Sequence, residues 1–220
     1  MSKEPLTKGE WWKIARFWVF VCFIMLAVLI VLGVAFGPIT CGIRAAQKGA
    51  CLQEAHQIAV ALYAYAQDHN GKYPEGKTST EVFQHLIDEQ YVSDPNLFYV
   101  EYLRVPGKVP PLGTKLTSAN VSWDITSDVD SSSPDKLPVV FLSGYTITYQ
   151  AGAAAVVAHP PPLRTWEDWW NGLPAWEPFM AVVCKDTAAR GVIADKDGRV
   201  PNFIPADFDP KGKTYRQLTP

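Results

Sequence analysis

Four aspartates crowd one polar segment, residues 123–135 (WDITSDVDSSSPD), as Asp124, Asp128, Asp130 and Asp135. Within it, Asp128, Asp130 and Ser132 alternate in the manner of a calcium loop, which collects carboxylate and hydroxyl oxygens from every second residue. The segment has no glycine at the sharp turn and no closing bidentate glutamate. A solvated Ser/Asp turn is therefore the preferred reading, and no metal ligand is assigned. Asp195-Lys196-Asp197-Gly198 is a second calcium-like fragment, which a tight hairpin turn at Asp197-Gly198 explains more simply.

Trp166, Trp169, Trp170 and Trp176 gather after the prolines 160–162. At helical spacing Trp166, Trp169 and Trp170 share a face beside Glu167 and Asp168. Exposed together, such rings stack on sugars or grip a partner; closed over a sheet, they are local core. The four tryptophans are the candidate partner-binding or glycan-binding residues. His56, His69, His85 and His159 are scattered, without metal-ligand spacing. The chain has no GxSxG, HExxH, Walker A or GxGxxG motif, and Ser143 lacks a nucleophile elbow. The sequence thus nominates no catalytic residue and no cofactor, and a non-enzymatic role is expected. A net charge of -2 gives no electrostatic reason to expect nucleic acid.

The elements that must position these residues begin with an apolar run, 17–37, which contains no charged residue. Its length suits the roughly 30 Å hydrocarbon core of a bilayer, and it exceeds the apolar core of a signal peptide. It predicts an uncleaved transmembrane helix. Lys3, Lys8, Lys13 and Arg16 precede it, which places 1–16 in the cytoplasm and the rest outside. The expectation is a single-pass protein of the inner membrane, in contact with lipid.

Residues 43–69 carry an amphipathic stripe, Leu52, Ala55, Ile58 or Ala59, Leu62, and Tyr65 or Ala66. Asn70-Gly71 stops that helix, and Pro38 and Gly42 mark a kink or break ahead of it. Thr78 to Glu81 has capping-box spacing before a short helix over 79–90. Strands are predicted at 137–142, 145–150, 179–184 and 191–194, with a turn or bulge at Ser143-Gly144. A hairpin is predicted across Asp197-Gly198, returning through 200–204. Cys51 and Cys184 either pair in an oxidising compartment or remain thiols.

Residues 45–92 resemble the N-terminal half of bacterial pilin-like proteins, in particular the major pseudopilins of type II secretion. Cys51-Leu52, Gln57-Ile58-Ala59, Ala61-Leu62 and Tyr65 lead into Asp68-His69-Asn70-Gly71-Lys72-Tyr73-Pro74, similar to the family's helix and its D-N-G-x-Y-P end. Ala194-Asp195-Lys196-Asp197-Gly198-Arg199-Val200 is similar to the family's terminal hairpin. The resemblance implies an α+β fold in which a transmembrane helix (17–37) continues into a packing helix (38–69) laid on a small antiparallel sheet, within an extracytoplasmic α+β domain over 70–220. It also implies a loop among the strands that binds calcium in some relatives. The prepilin start is missing: with Gly9 aligned as the cleavage residue, Ile14 stands where the family has glutamate. The implied function is that of a component of a secretion or surface apparatus, partnered by other pilin-like subunits. The alternative is an anchored carbohydrate- or envelope-binding module built on 166–176.

Overall fold

The computed structural model describes residues 8–100, 108–158, 179–195 and 197–220. The chain divides into two compact units, Met1–Ala46 and Gln47–Pro220. Helix α1 is assigned over Lys8–Asp68 as 61 consecutive residues, so Pro38 and Gly42 do not break it.

The expectation of a transmembrane helix is corrected here. Among the described residues, no helix is long and apolar enough to cross a membrane. The predicted single-pass topology and inner-membrane location lose their support with it. Side chains of the apolar run are nevertheless exposed, Phe20, Phe23 and Leu29 among them.

In the second unit, α1 meets the sheet as its stripe predicts. Cys51, Ala55, Ile58 and Leu62 are fully buried, in one core cluster with the strands. Gln53, Gln57 and Gln67 stay in solvent. The helix ends because Asn70 (φ 56) and Gly71 (φ 79) turn left-handed. The Gly71 amide then reaches back to the Ala66 carbonyl at 2.7 Å, the six-to-one bond of a Schellman end. Helix α2, Ser79–Asp88, starts at the predicted cap. The Glu81 amide donates to Thr78 Oγ1 at 3.2 Å, and the Lys77 amide to Glu81 Oε2 at 2.7 Å. Its buried face, Val82, Phe83, Leu86 and Ile87, joins the same core.

Among the described residues, eight strands follow: β1 (Trp123–Thr126), β2 (Pro138–Leu142), β3 (Tyr145–Ile147), β4 (Ala155–Val157), β5 (Phe179–Cys184), β6 (Ala189–Ile193), β7 (Arg199–Val200) and β8 (Gln217–Leu218). Five form one antiparallel sheet in the order β6-β5-β2-β1-β8, and three form another, β3-β4-β7. Strands β1, β2 and β5 are buried at every position. Cover on both faces explains why PVVFL and FMAVVC read as unbroken apolar runs rather than alternations.

The strand connections at Ser143-Gly144 and Asp197-Gly198 both pass from one sheet to the other. Strands β2 and β3 do not pair across Ser143-Gly144; with Gly144 at φ 102, the chain passes there from one sheet to the other. The turn at Asp197-Gly198 forms as predicted: Asp195 Oδ1 accepts from the amides of Asp197 and Arg199, both at 2.9 Å. Its two arms do not make a hairpin, because β6 pairs with β5 and β7 with β4.

Candidate functional site

The aspartate segment opens inside the sheet. Asp124 and Thr126 lie on β1 and are buried, and each is fully engaged. Ser143 Oγ donates to Asp124 Oδ1 at 2.5 Å, and Gln217 Nε2 to Oδ2 at 2.6 Å. Thr126 Oγ1 donates to the Pro138 carbonyl at 2.5 Å and lies 2.7 Å from the Tyr149 hydroxyl. Burial pushes the Asp124 carboxyl up to about 6, against those two hydrogen bonds and the charge of Lys108. Gln217 also donates to the Tyr145 carbonyl at 2.6 Å and accepts from the Ile147 amide at 3.0 Å. One amide on β8 thereby ties β1 of the larger sheet to β3 of the smaller.

Beyond Thr126 the chain leaves the sheet as a loop, 127–135. Asp128 adopts φ 58, with the Ser127 hydroxyl donating to its Oδ2 at 2.6 Å and Arg216 Nη2 at 3.8 Å. Asp130 Oδ1 accepts from the Ser132 amide and hydroxyl, both at 2.8 Å, and from the Ser133 amide at 3.1 Å. Lys213 forms an ion pair with the same oxygen. Burial alone would raise the Asp130 carboxyl; the Lys213 ammonium and the Ser132 donors outweigh it and hold the carboxyl well below its ordinary range. Asp135 faces Lys185 at 3.4 Å.

The four aspartates therefore do not converge. Asp124 belongs to the sheet, and each of the other three has its own basic partner. Asp130 and Ser132, which would be successive ligands two residues apart in a calcium loop, bond to each other. Among the described residues, no group of three or more His, Cys, Asp and Glu side chains is placed to hold a metal ion. These residues do not fit the calcium that the pilin-like resemblance implies.

What the loop does hold is the end of α1. The Ser131 amide donates to the Gly71 carbonyl at 2.9 Å and the Tyr73 amide to the Val129 carbonyl at 3.3 Å, with Lys72 bridged to Asp130. Gly71 is required twice over: its φ is 79, and a Cβ there would lie 2.8 Å from Ser131 Oγ. Beside this junction His69 stacks on Tyr65 at 3.8 Å, and Tyr91 donates to Asp68 Oδ2 at 2.7 Å.

The remaining candidates separate. Trp166, Trp169, Trp170 and Trp176 lie outside the described residues. Cys51 and Cys184 are buried free thiols, and burial pushes both up, away from reactive thiolate. His56 Nδ1 lies 3.0 Å from the Thr187 carbonyl, bracing α1 against the β5–β6 turn. An open groove of about 590 Å³ runs between Gln57, Val60 and Ala64 of α1 and the segment holding Tyr91, Asp94 and Leu97. Sequence reasoning missed Lys185, Lys211, Lys213 and Gln217, whose partners lie fifty or more residues away. No family model, no curated protein and no solved structure matches this chain.

Proposed function

We propose that this chain is a non-enzymatic, pilin-like subunit of a secretion or surface apparatus, working through contacts with like subunits. One observation carries the reading. The final turns of a very long helix lie on an antiparallel sheet, and the segment Asp68 to Pro74 just beyond them is pinned to a loop between strands. That is the arrangement implied by the pilin-like resemblance of residues 45–92.

Two further features support it. The apolar side chains of 17–31 are exposed on an isolated chain, a surface that calls for cover; matching helices of sister subunits supply it. In the second unit, Val60 and Tyr63 on α1 are 47% and 51% exposed, apolar surface on the side away from the sheet. Ser143 donates to Asp124, and the thiols of Cys51 and Cys184 are buried.

The test places a photo-crosslinking amino acid at Val60 or Tyr63 in the full chain, expressed in cells. The expected product is a ladder of self-adducts, or adducts with other subunits built on the same helix-and-sheet plan. An exclusively monomeric product at both positions overturns the proposal.

A further inference from the structure

The spacing of Asp128, Asp130 and Ser132 is that of a cation loop, and the folded loop is indeed organised around positive charge, which the chain supplies itself. Lys185 follows β5, and its side chain is only 14% exposed. Its Nζ donates to the Ser131 carbonyl at 2.8 Å and the Ser133 carbonyl at 2.5 Å, and lies 3.4 Å from Asp135 Oδ1. An ammonium has three N–H donors and no acceptor, so these three oxygens use it completely. Two backbone carbonyls and a carboxylate are also the donors that a hard divalent cation collects.

The outer rim is closed in the same way. Lys211 Nζ donates to the Ser132 carbonyl at 3.1 Å, and Lys213 Nζ to Ser132 Oγ at 2.8 Å while pairing with Asp130. Three successive carbonyls, those of Ser131, Ser132 and Ser133, thus each receive a lysine.

We propose that residues 127–135 form a cation-type loop closed by resident lysines, with Lys185 in the position where a divalent ion would otherwise bind and Lys211 and Lys213 on the rim. The loop carries the backbone contacts to Gly71 and Tyr73, so the fastening of α1 to the sheet is independent of metal. This rests on the loop's own geometry and stands apart from the proposed role in assembly.

Thermal unfolding of the full chain tests it, in millimolar calcium chloride and in chelator. The wild type should give the same melting temperature in both. Lys185→Met keeps the length of the stem but takes the donor from the Ser131 and Ser133 carbonyls; it should melt roughly 5 °C lower. Lys185→Gln, whose amide offers two N–H groups, should fall between. A wild-type melting temperature that rises with calcium overturns the proposal, as does a Lys185→Met protein that melts with the wild type. If Lys185→Met does not fold, calorimetric titration of the wild type with calcium chloride decides: absence of binding heat sustains the proposal, and saturable binding to the folded chain ends it.

Discussion

Replacing Asp124 by asparagine should stabilise the protein at neutral pH. Asp124 is 1% exposed, on β1 opposite Phe141 of β2. Its pKa is raised from 3.8 to about 6 by burial, which outweighs the bonds from Ser143 and Gln217 and the charge of Lys108. Lys108 is itself partly buried, bonded to the Ser118 carbonyl at 2.8 Å, and lowered by that burial. Tyr149, across Thr126, is raised by its burial and stays neutral. Because the folded-state pKa lies above the unfolded one, the folded chain retains a proton between pH 3.8 and about 6 that the unfolded chain has released. Stability from this group is complete below that window and is lost as pH rises through it. A rise from 3.8 to about 6 corresponds to about 3 kcal/mol.

Asparagine reproduces the protonated pattern without the charge. Its carbonyl oxygen accepts from Gln217 Nε2, which cannot turn away because Gln217 also serves Tyr145 and Ile147. Its amide donates to Ser143 Oγ, whose hydroxyl rotates to accept. Urea unfolding of the full chain, measured from pH 4 to pH 8, should show wild-type stability falling as pH rises through about 6 and levelling above it. Asp124→Asn should remain flat between pH 4 and 6 and exceed the wild type at pH 8 by about 1–3 kcal/mol. Asp130 acts in the opposite sense at lower pH: its depressed carboxyl contributes above the unfolded pKa, and that contribution is lost as pH falls further. The two effects separate along the pH axis. A wild-type curve that is level or rising from pH 4 to 6, or an asparagine variant with the same slope, would refute the reasoning.

Further outcomes follow from packing and backbone geometry. Leu62→Ala, at a fully buried site beneath the sheet, should cost about 2–5 kcal/mol in the same urea assay, whereas Gln57→Ala on the exposed face should change it by less than about 0.5 kcal/mol. Gly71→Ala forces a side chain into a φ of 79 and against Ser131 Oγ at 2.8 Å; a loss of about 1–3 kcal/mol is expected, and amide exchange at Ser131 and Tyr73 should accelerate with it.

The parts of this fold that could be read in the sequence are those fixed by neighbours along the chain. The stripe from Leu52 to Ala66 repeats at the helical period, so the face that meets the sheet follows from spacing alone. Thr78 and Glu81 cap α2 across three residues, and Asn70-Gly71 accepts the left-handed backbone that ends α1. The turn at Asp197-Gly198 is likewise local, and it formed. Its pairing partners are not local: Val200 finds Ala155, and Ile193 finds Phe179. Strand β1 escaped notice because Trp123-Asp124-Ile125-Thr126 runs straight into a serine- and aspartate-rich turn. Its aspartate becomes compatible with a core only when Ser143 and Gln217, nineteen and ninety-three residues away, donate to it. The same distance hid the loop's chemistry. In the sequence, Asp128 and Asp130 have the spacing of calcium ligands but read more simply as a solvated Ser/Asp turn. In the fold, Arg216 stands beside Asp128, Lys213 pairs with Asp130 and Lys185 faces Asp135, so the charge that a calcium ion would have supplied is already in place. A ligand pattern read from spacing fixes the sign of the charge a loop requires; only the tertiary structure decides whether that charge comes from solution or from the chain.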